Sequence, residues 1–361
     1  MTSLLDDGHF FLPGPTEVRA EVLAAMTRPM MPHRGKAFET FFAGLQPGLQ
    51  QVFRTTRQVL VSSSSATGLM EAAVRCAPPG PILSLVNGAF SERFAHVARA
   101  CGRTVEVVEV PLGEVVTPDA AEVRFREKSF AAMTVVHSET STGALTDIRA
   151  MQLLARRHGA MCLIDSVTGM AGIPVETDLW DLDYVFTGSQ KALALPPGLA
   201  FAVASDPFLA QARSAGARGL YFDLVEFDTF ARKSQTPNTP ALPLLYAAEV
   251  QLKAIMAEGL EARWARHRAM AERVRAWVGE HAGCGILAPE GARADTVTAI
   301  TLPEGVRGPE VAAAAEAEGY VVGPGYGKLK DRTFRIGHMG DHTLRGLEGC
   351  LAALDRRWPG K

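Results

Sequence analysis

Short apolar runs alternate with helical segments along the first 205 residues of the chain. The runs at residues 82–87, 130–137 and 199–205 are rich in apolar side chains and are bounded by turn-forming residues. Runs of this length are typical of strands that are buried on both faces of a parallel sheet. The segments between them, such as residues 36–53 and 148–158, are predicted to be helices. This alternation predicts a mainly parallel, doubly wound α/β sheet.

The pattern changes after residue 206. A breaker-rich loop at residues 234–240 precedes a long helical stretch, residues 242–281, which we expect to break at Gly259. The second half of that stretch is charged and is expected to be a solvated connecting helix. A smaller unit of strands and helices follows it. These features predict three parts, namely an extended N-terminal segment over residues 1–16, a large domain over 17–259 and a small C-terminal α/β domain over 260–361.

Composition and charge narrow the classes of protein. The 37 basic and 39 acidic residues nearly balance, so nothing indicates a nucleic acid or a charged membrane surface as a partner. The five cysteines are scattered without CxxC spacing, which fits reduced thiols and argues against disulfides and a metal site. The first ten residues carry two acids where a signal peptide would carry bases, and no long apolar run follows. We therefore expect a cytoplasmic protein without a metal or a membrane span.

Two of the predicted strands end close to residues that could perform chemistry. The run at 160–164 leads into Asp165, and the run at 183–186 leads to Lys191. The carboxyl ends of parallel strands meet at the edge where open α/β sheets bind ligands. A carboxylate and an amine at that edge suit pyridoxal phosphate (PLP): the lysine forms a Schiff base and the aspartate keeps the pyridine nitrogen protonated. The alternative is a surface lysine and a strand-end aspartate that never meet.

A further candidate site is the sequence SSSSATG at residues 62–68, at a predicted strand-to-helix turn. Hydroxyl and backbone N–H groups at the N-terminus of a helix form a ready anion site. The alternative is an ordinary serine-rich helix cap.

Four short stretches, in this order along the chain, carry a resemblance to a known family: residues 137–143 (HSETSTG), 165–167 (DSV), 188–191 (GSQK) and 334–338 (FRIGH). From PGPT at 13–16 to the C-terminal helix, the chain resembles the class V, fold-type I PLP-dependent aminotransferases, most closely the alanine–glyoxylate and serine–glyoxylate (serine–pyruvate) branch. The resemblance implies an α/β fold in which a large domain with a mainly parallel, seven-stranded sheet precedes a smaller C-terminal α/β domain. It also implies a homodimer with shared active sites.

The resemblance implies roles for individual residues as well. Lys191 matches the Schiff-base and proton-transfer lysine, Asp165 matches the partner of the pyridine nitrogen, and Arg335 matches the arginine that binds the substrate α-carboxylate. The other matching positions are Ser65, Ala66, Thr67 and Gln190 for the cofactor phosphate, Phe90 and Val167 for the two ring faces, Thr140 for the ring oxygen, Gly14 for the substrate, and Thr239 for the phosphate in the partner subunit.

The implied activity is transfer of an amino group from alanine or serine to a 2-oxo acid, with glyoxylate or pyruvate as the acceptor. Three alternatives stay open. The donor could be aspartate, an aminophosphonate or a ureido-amino acid, and Arg34 is then the candidate for a distal carboxylate. A cysteine desulfurase-like lyase would need a reactive thiol, for which Cys284 and Cys350 are the C-terminal candidates. A PLP-binding protein without activity is disfavoured, because the matching cofactor and substrate residues are present.

Overall fold

The structure is a computed structural model that describes residues 4–216 and 218–359. Its α-helices are α1 (Ala20–Ala25), α2 (Lys36–Phe53), α3 (Ala66–Cys76), α4 (Ala89–Ala100), α5 (Pro118–Glu127), α6 (Ile148–Arg157), α7 (Asp206–Ser214), α8 (Leu224–Ala231), α9 (Leu242–Glu258), α10 (Leu260–Gly279), α11 (Gly308–Glu316) and α12 (Leu344–Arg356). Its strands are β1 (Phe10–Phe11), β2 (Leu60–Ser62), β3 (Ile82–Val86), β4 (Val105–Glu109), β5 (Ala132–Val136), β6 (Ser138–Glu139), β7 (Ala144–Leu145), β8 (Met161–Asp165), β9 (Tyr184–Gly188), β10 (Ala200–Ala204), β11 (Gly285–Ile286), β12 (Val297–Thr301), β13 (Val321–Pro324) and β14 (Thr333–Gly337). Across the described residues, no helix combines the length and apolar character that crossing a bilayer requires.

The larger sheet has seven strands in the order β2-β10-β9-β8-β5-β3-β4. Strand β10 is antiparallel to both of its neighbours, and the other four pairs are parallel. Along β10, Phe201 and Val203 belong to one hydrophobic core while Ala200 and Ala202 belong to another. Both faces of the sheet are therefore covered, which explains why its strands are continuous apolar runs and not alternations. The prediction of a mainly parallel, seven-stranded α/β sheet is confirmed.

The smaller sheet has five strands in the order β1-β13-β14-β12-β11. Strand β1 is parallel to β13, with Phe10 opposite Val321, and the remaining pairs are antiparallel. A separate core that includes Phe11, Trp277 and Phe334 packs this sheet against α10, α11 and α12. The predicted N-terminal extended segment therefore contributes an edge strand to the C-terminal sheet.

Helices α9 and α10 are separated by Gly259, whose φ of +82° lies in the left-handed region that favours glycine. The predicted helix break is confirmed there, and we propose residue 259 as the domain boundary. The expectation that α10 is a solvated connecting helix is wrong, because Arg263, His267 and Trp277 are each no more than 1 % exposed. The buried charge of Arg263 is paired with Glu258 at the end of α9 and with the distant Asp341.

Five polar side chains form a buried ion cluster where α9 and α10 meet the start of α1 and the turn after β14: Arg19, Gln251, Glu258, Arg263 and Asp341. Arg19 Nε lies 2.6 Å and Arg263 Nη2 lies 3.0 Å from the carboxylate of Asp341. Arg263 Nη1 lies 2.8 Å from Glu258, and Gln251 donates to Asp341 at 3.0 Å. Burial alone would raise the pKa of Asp341, but Arg263 and Arg19 outweigh it and hold that pKa below its ordinary value.

Candidate active site

A cavity of about 450 Å³ lies at the carboxyl ends of β5, β8 and β9. Ligand-binding cavities typically occupy about 300–1,000 Å³. Of the twelve site residues predicted from the sequence, ten line it: Gly14, Ser65, Ala66, Thr67, Phe90, Thr140, Asp165, Val167, Gln190 and Lys191. The other two, Arg335 and Thr239, are not among the lining residues. The fold thus gathers predicted residues from widely separated parts of the chain in one place.

Asp165 and Lys191 are both buried in the cavity wall. Asp165 is the last residue of β8 and accepts the Val167 N–H at 2.8 Å, whereas Lys191 follows β9 and donates from Nζ to the carbonyl of Pro13. Burial raises the pKa of Asp165 to about 7, and Glu139 adds to the rise. Burial also lowers the pKa of Lys191 to about 8. Both groups therefore change charge close to neutral pH, which is typical of catalytic residues.

Gly14 is needed where it stands because the lysine side chain passes directly over it. A Cβ at this position would lie 2.6 Å from Lys191 Cδ, which no substituent could tolerate unless the lysine moved. Gly14 also has φ +105°, a backbone conformation that residues with a side chain rarely adopt. The predicted site glycine therefore has a steric reason: it makes room for Lys191.

The turn that carries Lys191 is fixed by two distant segments of the chain, the N-terminal segment and α10. Thr16 donates its N–H to the carbonyl of Gln190 and its hydroxyl to the carbonyl of Lys191, both at 3.0 Å. Arg263, a member of the buried ion cluster, donates to the carbonyl of Ala192 at 2.6 Å. The N-terminal segment and α10 thus fix the backbone on which the amine is mounted.

The start of α3 provides the predicted anion site. Ser65 is the N-cap residue, and its side chain makes no capping hydrogen bond. The first backbone N–H groups of a helix have no partner within it and attract anions. Gly188 lets the two parts of the site approach, because a Cβ there would lie 2.6 Å from Gln190 Oε1 and 3.2 Å from Ala66 Cβ. The helix amides, the hydroxyls of Ser65 and Thr67 and the amide of Gln190 form a donor set that fits a phosphate group.

Arg335 lies in the middle of β14 and is 8 % exposed. Its Nη1 donates to the carbonyl of Thr140 at 3.2 Å and its Nε to the carbonyl of Pro324 at 3.1 Å. The ring centroid of Tyr326 is 5.5 Å from the guanidinium carbon. Burial lowers the pKa of Arg335, and after burial the charge of Arg335 is the next cause of the lowered pKa of Lys191. Arg335 therefore adjoins the cavity through Thr140, which lines it.

Thr239 and Arg34 are not among the residues that line the cavity. Thr239 Oγ1 is 3.4 Å from His33 Nε2, and Arg34 donates to the carbonyls of Thr236 and Pro237 at 2.8 and 3.1 Å. Thr236, Pro237 and Thr239 line a separate small depression. The role of Thr239 toward a partner subunit stays a prediction.

Three residues that the sequence analysis did not assign also belong to this region. Glu139 is fully buried and accepts the N–H of Phe90 at 3.1 Å. Arg93 lines the cavity, with its guanidinium carbon 5.1 Å from the Phe90 ring centroid and Nη2 3.3 Å from the hydroxyl of Tyr326. Glu139 could have been found as a carboxylate inside the motif at 137–143, and Arg93 as a cation one helical turn after Phe90. Tyr326 had no comparable signal.

A sequence model of the family Aminotransferase class-V matches residues 16–326, a span that includes every cavity-lining residue except Gly14 and Pro15. The chain belongs to the class V aminotransferases. An L-aspartate–glyoxylate aminotransferase of Paracoccus denitrificans is 33 % identical over 95 % of this chain and 89 % of its own. A serine–glyoxylate aminotransferase of Methylorubrum extorquens is 32 % identical over 96 % of this chain and 90 % of its own. The crystal structure of alanine–glyoxylate aminotransferase from Nostoc sp. has a TM-score of 0.91 and 27 % identity, covering 99 % of this chain and 95 % of its own.

As a class V aminotransferase, the protein is a transaminase with the fold-type I architecture, and it depends on pyridoxal phosphate. The cavity fits this cofactor. The donor set at the start of α3 suits the phosphate, Asp165 at the end of β8 suits the ring nitrogen, and the lowered pKa of Lys191 favours the neutral amine. When bound, pyridoxal phosphate supplies an electron sink for charge that develops at the substrate Cα. The roles of the individual residues stay predictions.

The two cysteines considered for a desulfurase-like reaction do not suit it. Cys350 is fully buried in α12, and burial raises the pKa of its thiol to about 12. Burial also raises the pKa of Cys284. A reactive thiol needs a lowered pKa and access to the substrate, and neither cysteine is among the residues that line the cavity of this class V aminotransferase.

Proposed function

We propose that this transaminase moves the amino group of alanine or serine to a small 2-oxo acid, glyoxylate or pyruvate. The observation that carries the proposal is the grouping of Lys191, Asp165 and Arg335: an amine and a carboxyl that titrate near neutral pH in one cavity, with a buried guanidinium adjoining its wall. Amino-group transfer needs a group that moves a proton at the substrate Cα and a cation for the α-carboxylate. Lys191 and Arg335 are assigned to these two tasks.

Lys191 is assigned to hold and move the proton. Its pKa of about 8 means that Nζ occurs in both charge states near neutral pH, as a general acid–base group requires. The position of the amine is fixed by the hydrogen bond from Nζ to the carbonyl of Pro13 and by the hydrogen bond from the Thr16 hydroxyl to the carbonyl of Lys191. Asp165, oriented by the Val167 N–H on Oδ1, is assigned to the ring nitrogen of the cofactor.

Arg335 is assigned to the α-carboxylate of both donor and acceptor. An arginine side chain has five N–H donors. The carbonyls of Thr140 and Pro324 accept from Nη1 and Nε, which fixes the plane of the guanidinium. The remaining N–H groups are available for a charge-assisted pair with a carboxylate.

The volume of the cavity supports the assignment of small substrates. The cavity of about 450 Å³ has to hold the cofactor and the substrate together, and Tyr326 packs on Phe90 in its wall, with ring centroids 5.6 Å apart. Selection by pocket size amounts to about 1–3 kcal/mol per methylene, so glyoxylate is expected to be the best acceptor and pyruvate a slower one. The relatives named for serine, alanine and glyoxylate support the same assignment.

A donor with an acidic side chain is the second candidate, and Arg93 favours it. Arg93 lines the cavity, and within the described residues it forms no ion pair; its contacts are the Phe90 ring and the Tyr326 hydroxyl. Arg93 is exposed, and its guanidinium at the cavity wall would pair with a distal carboxylate of the donor. The similarity to an L-aspartate–glyoxylate aminotransferase points the same way. Arg34, which the sequence analysis considered for this task, is occupied by the carbonyls of Thr236 and Pro237.

The active unit is inferred to be a cytoplasmic homodimer in which Thr239 reaches the phosphate of the partner's cofactor. The support is that Thr239 lies outside the cavity of its own chain, on the loop that the family resemblance assigns to this contact. Lys191→Ala and Thr239→Asp, each inactive alone, should restore some activity when mixed under subunit exchange, because one hybrid site receives both intact groups. A fully active monomer in sedimentation would contradict the shared site.

Single-turnover kinetics test the substrate assignment. The PLP-loaded protein is mixed with alanine, serine or aspartate, and conversion of the bound cofactor to its aminated form is followed by absorbance. Alanine or serine should react fastest, and the aminated protein should then react fastest with glyoxylate among glyoxylate, pyruvate, oxaloacetate and 2-oxoglutarate. An advantage of about tenfold for aspartate, worth about 1.4 kcal/mol, that disappears in Arg93→Gln would establish the second candidate instead. Failure of all three donors would refute both assignments.

A further inference from the structure

Glu139 is a buried carboxylate beside the cavity to which the proposed roles give no task. Its side chain is fully buried. Within the described residues, no basic side chain forms an ion pair with it, although buried charges are ordinarily paired. A carboxylate in this position therefore needs another source of stabilisation.

That stabilisation comes from the first turn of α4 and from two hydroxyls. Glu139 Oε2 accepts the N–H groups of Phe90 and Ser91 at 3.1 and 3.0 Å and the Ser91 hydroxyl at 3.1 Å. Oε1 accepts the N–H and the hydroxyl of Ser141 at 3.1 and 2.6 Å. The Ser141 hydroxyl in turn accepts the N–H of Ala89 at 3.0 Å. The first three N–H groups of the helix are thus satisfied, and the helix dipole favours the negative charge.

Glu139 takes the place of a capping side chain that α4 itself lacks. The N-cap residue of α4 is Gly88, which has no side chain to offer. A Cβ at Gly88 would lie 2.5 Å from Glu139 Cγ and 2.6 Å from Cδ. Its extended backbone does not demand glycine, so the requirement is one of space. The glycine before the helix and the distant glutamate therefore form one arrangement.

The same residue is connected to the substrate side of the cavity. Glu139 belongs to β6, which pairs with β7, and its carbonyl accepts the N–H of Gly143 at 2.8 Å. The next residue, Thr140, lines the cavity, and its carbonyl accepts from Arg335. One short hairpin therefore contacts the start of α4 through the Glu139 side chain and Arg335 through the Thr140 backbone.

We propose that Glu139 is a positioning residue of the cofactor site, which caps α4 so that the Phe90 ring is held against the cofactor at a fixed place relative to Thr140 and Arg335. The inference rests on the proposed contact of Phe90 with the cofactor and on the proposed link at Lys191.

The charge of Glu139 gives a second effect that can be measured separately. Burial is the main cause of the raised pKa of Asp165 and of the lowered pKa of Lys191. The charge of Glu139 raises both values, so it adds to the shift of Asp165 and opposes that of Lys191. Removal of this charge should therefore lower both. A residue that merely stabilised the fold from a distance would leave the titration of Lys191 unchanged.

The test is Glu139→Gln, which keeps the shape, removes the charge and directs an N–H₂ group at donors. We expect the apoprotein to bind PLP about tenfold more weakly or worse, since hydrogen bonds to a charged acceptor are lost. The pH midpoint for labelling of Lys191 by an amine reagent in the apoprotein should fall. Ser141→Ala is the matched control: it removes one hydroxyl but leaves the charge and the Phe90 contact, so the midpoint should stay unchanged.

A double-mutant cycle shows whether Glu139 acts through Phe90. PLP affinity is measured for the apo forms of Phe90→Leu, Glu139→Gln and the double variant. If the glutamate works by placing the ring, the two effects are coupled and the double variant loses less than the sum of the two logarithmic changes. Additive effects would overturn the proposal.

A second variant keeps the proposal testable if Glu139→Gln fails to fold. Glu139→Asp retains the charge but shortens the side chain by one methylene, so PLP binding should weaken while the Lys191 midpoint stays in place. Wild-type PLP affinity in either variant would refute the positioning role. If borohydride reduction of the wild-type holoenzyme placed the pyridoxyl group on a lysine other than Lys191, the proposed function would fail instead, and peptide mapping distinguishes the two failures.

Discussion

The molecule buries charge in two neighbouring places with opposite results. In the buried ion cluster, Arg263 and Arg19 outweigh the effect of burial and hold the pKa of Asp341 below its ordinary value. In the cavity, burial dominates, and the pKa values of Asp165 and Lys191 move to about 7 and about 8. The comparison teaches that pairing decides whether a buried charge serves the fold or stays available for chemistry.

The two regions are also physically joined. Arg263 forms an ion pair with Asp341 in the cluster and donates a hydrogen bond to the carbonyl of Ala192 in the lysine turn. Arg263, whose charge is paired in the cluster, thus fixes the backbone next to Lys191, which forms no ion pair within the described residues. Substitutions in the buried ion cluster should therefore lower the free energy of unfolding, whereas substitutions in the cavity should lower turnover.

The largest effect is expected from Lys191→Ala, which removes the buried amine from the cavity. Turnover should fall by at least about a thousandfold, because general acid–base catalysis alone typically contributes about 10²- to 10⁴-fold and the cofactor link is lost as well. The yellow absorbance of the bound cofactor should disappear after dialysis. Retention of that absorbance in the variant would show that another lysine carries the cofactor.

The next largest effect is expected from a substitution in the buried ion cluster. Asp341→Asn removes the carboxylate charge between two buried guanidinium groups, and breaking a buried pair costs about 3–5 kcal/mol. The free energy of unfolding, measured in urea at pH 7 on PLP-loaded protein, should fall by about this amount. Asp331→Asn is the control, because Asp331 pairs with Arg307 on the surface with side chains 56 and 60 % exposed, and such pairs contribute about 0–1 kcal/mol. Equal losses in the two variants would remove the distinction between buried and exposed pairs.

Arg335→Ala tests the comparison in the cavity, because this arginine is buried like those of the cluster but, within the described residues, forms no ion pair and donates to the carbonyls of Thr140 and Pro324. A hydrogen bond to a charged group is worth about 1.5–3 kcal/mol, so kcat/KM should fall about tenfold to a hundredfold or more for every amino acid. The absorbance of the bound cofactor should survive. Unchanged kinetics toward all tested amino acids would exclude Arg335 as the carboxylate-binding residue.

The smallest effect is a pH dependence. Only the neutral amine of Lys191 reacts with PLP, and because its pKa is lowered from 10.5 to about 8, capture of PLP by the apoprotein should accelerate as pH rises through 8. The rate should increase about tenfold between pH 7 and pH 9. In Arg335→Gln the midpoint should move upward, because Arg335 helps to lower the pKa of Lys191. A wild-type midpoint near 10.5 would mean that burial does not shift this amine.

The large sheet and the two reactive residues at its edge could be predicted from the sequence because they follow from local patterns. Buried parallel strands are continuous apolar runs, and residues that follow such runs, here Asp165 and Lys191, must meet at one edge of the sheet. The family resemblance added residues such as Phe90 and Gln190, which the structure places in the same cavity wall. Helices α7 and α8 were not assigned at all.

The remaining features could not be predicted because they depend on contacts between distant parts of the chain. The arginines of α10 suggested solvent exposure, and only the fold shows that Arg263 meets Asp341 in the interior. Arg93 and Tyr326 are brought together from distant parts of the sequence. No periodic pattern marks such a pair in advance, since each residue alone is compatible with an ordinary surface.

Strand β1 links the N-terminal part of the cavity wall to the last part of the chain to be synthesised. It pairs with β13, with Phe10 opposite Val321, and leads into Gly14, over which the Lys191 side chain lies. Residues 10–14 leave the ribosome long before Val321, so they have no strand to pair with while most of the chain is being made. A chain arrested before β13 therefore lacks the strand pairing that anchors the segment leading to Gly14.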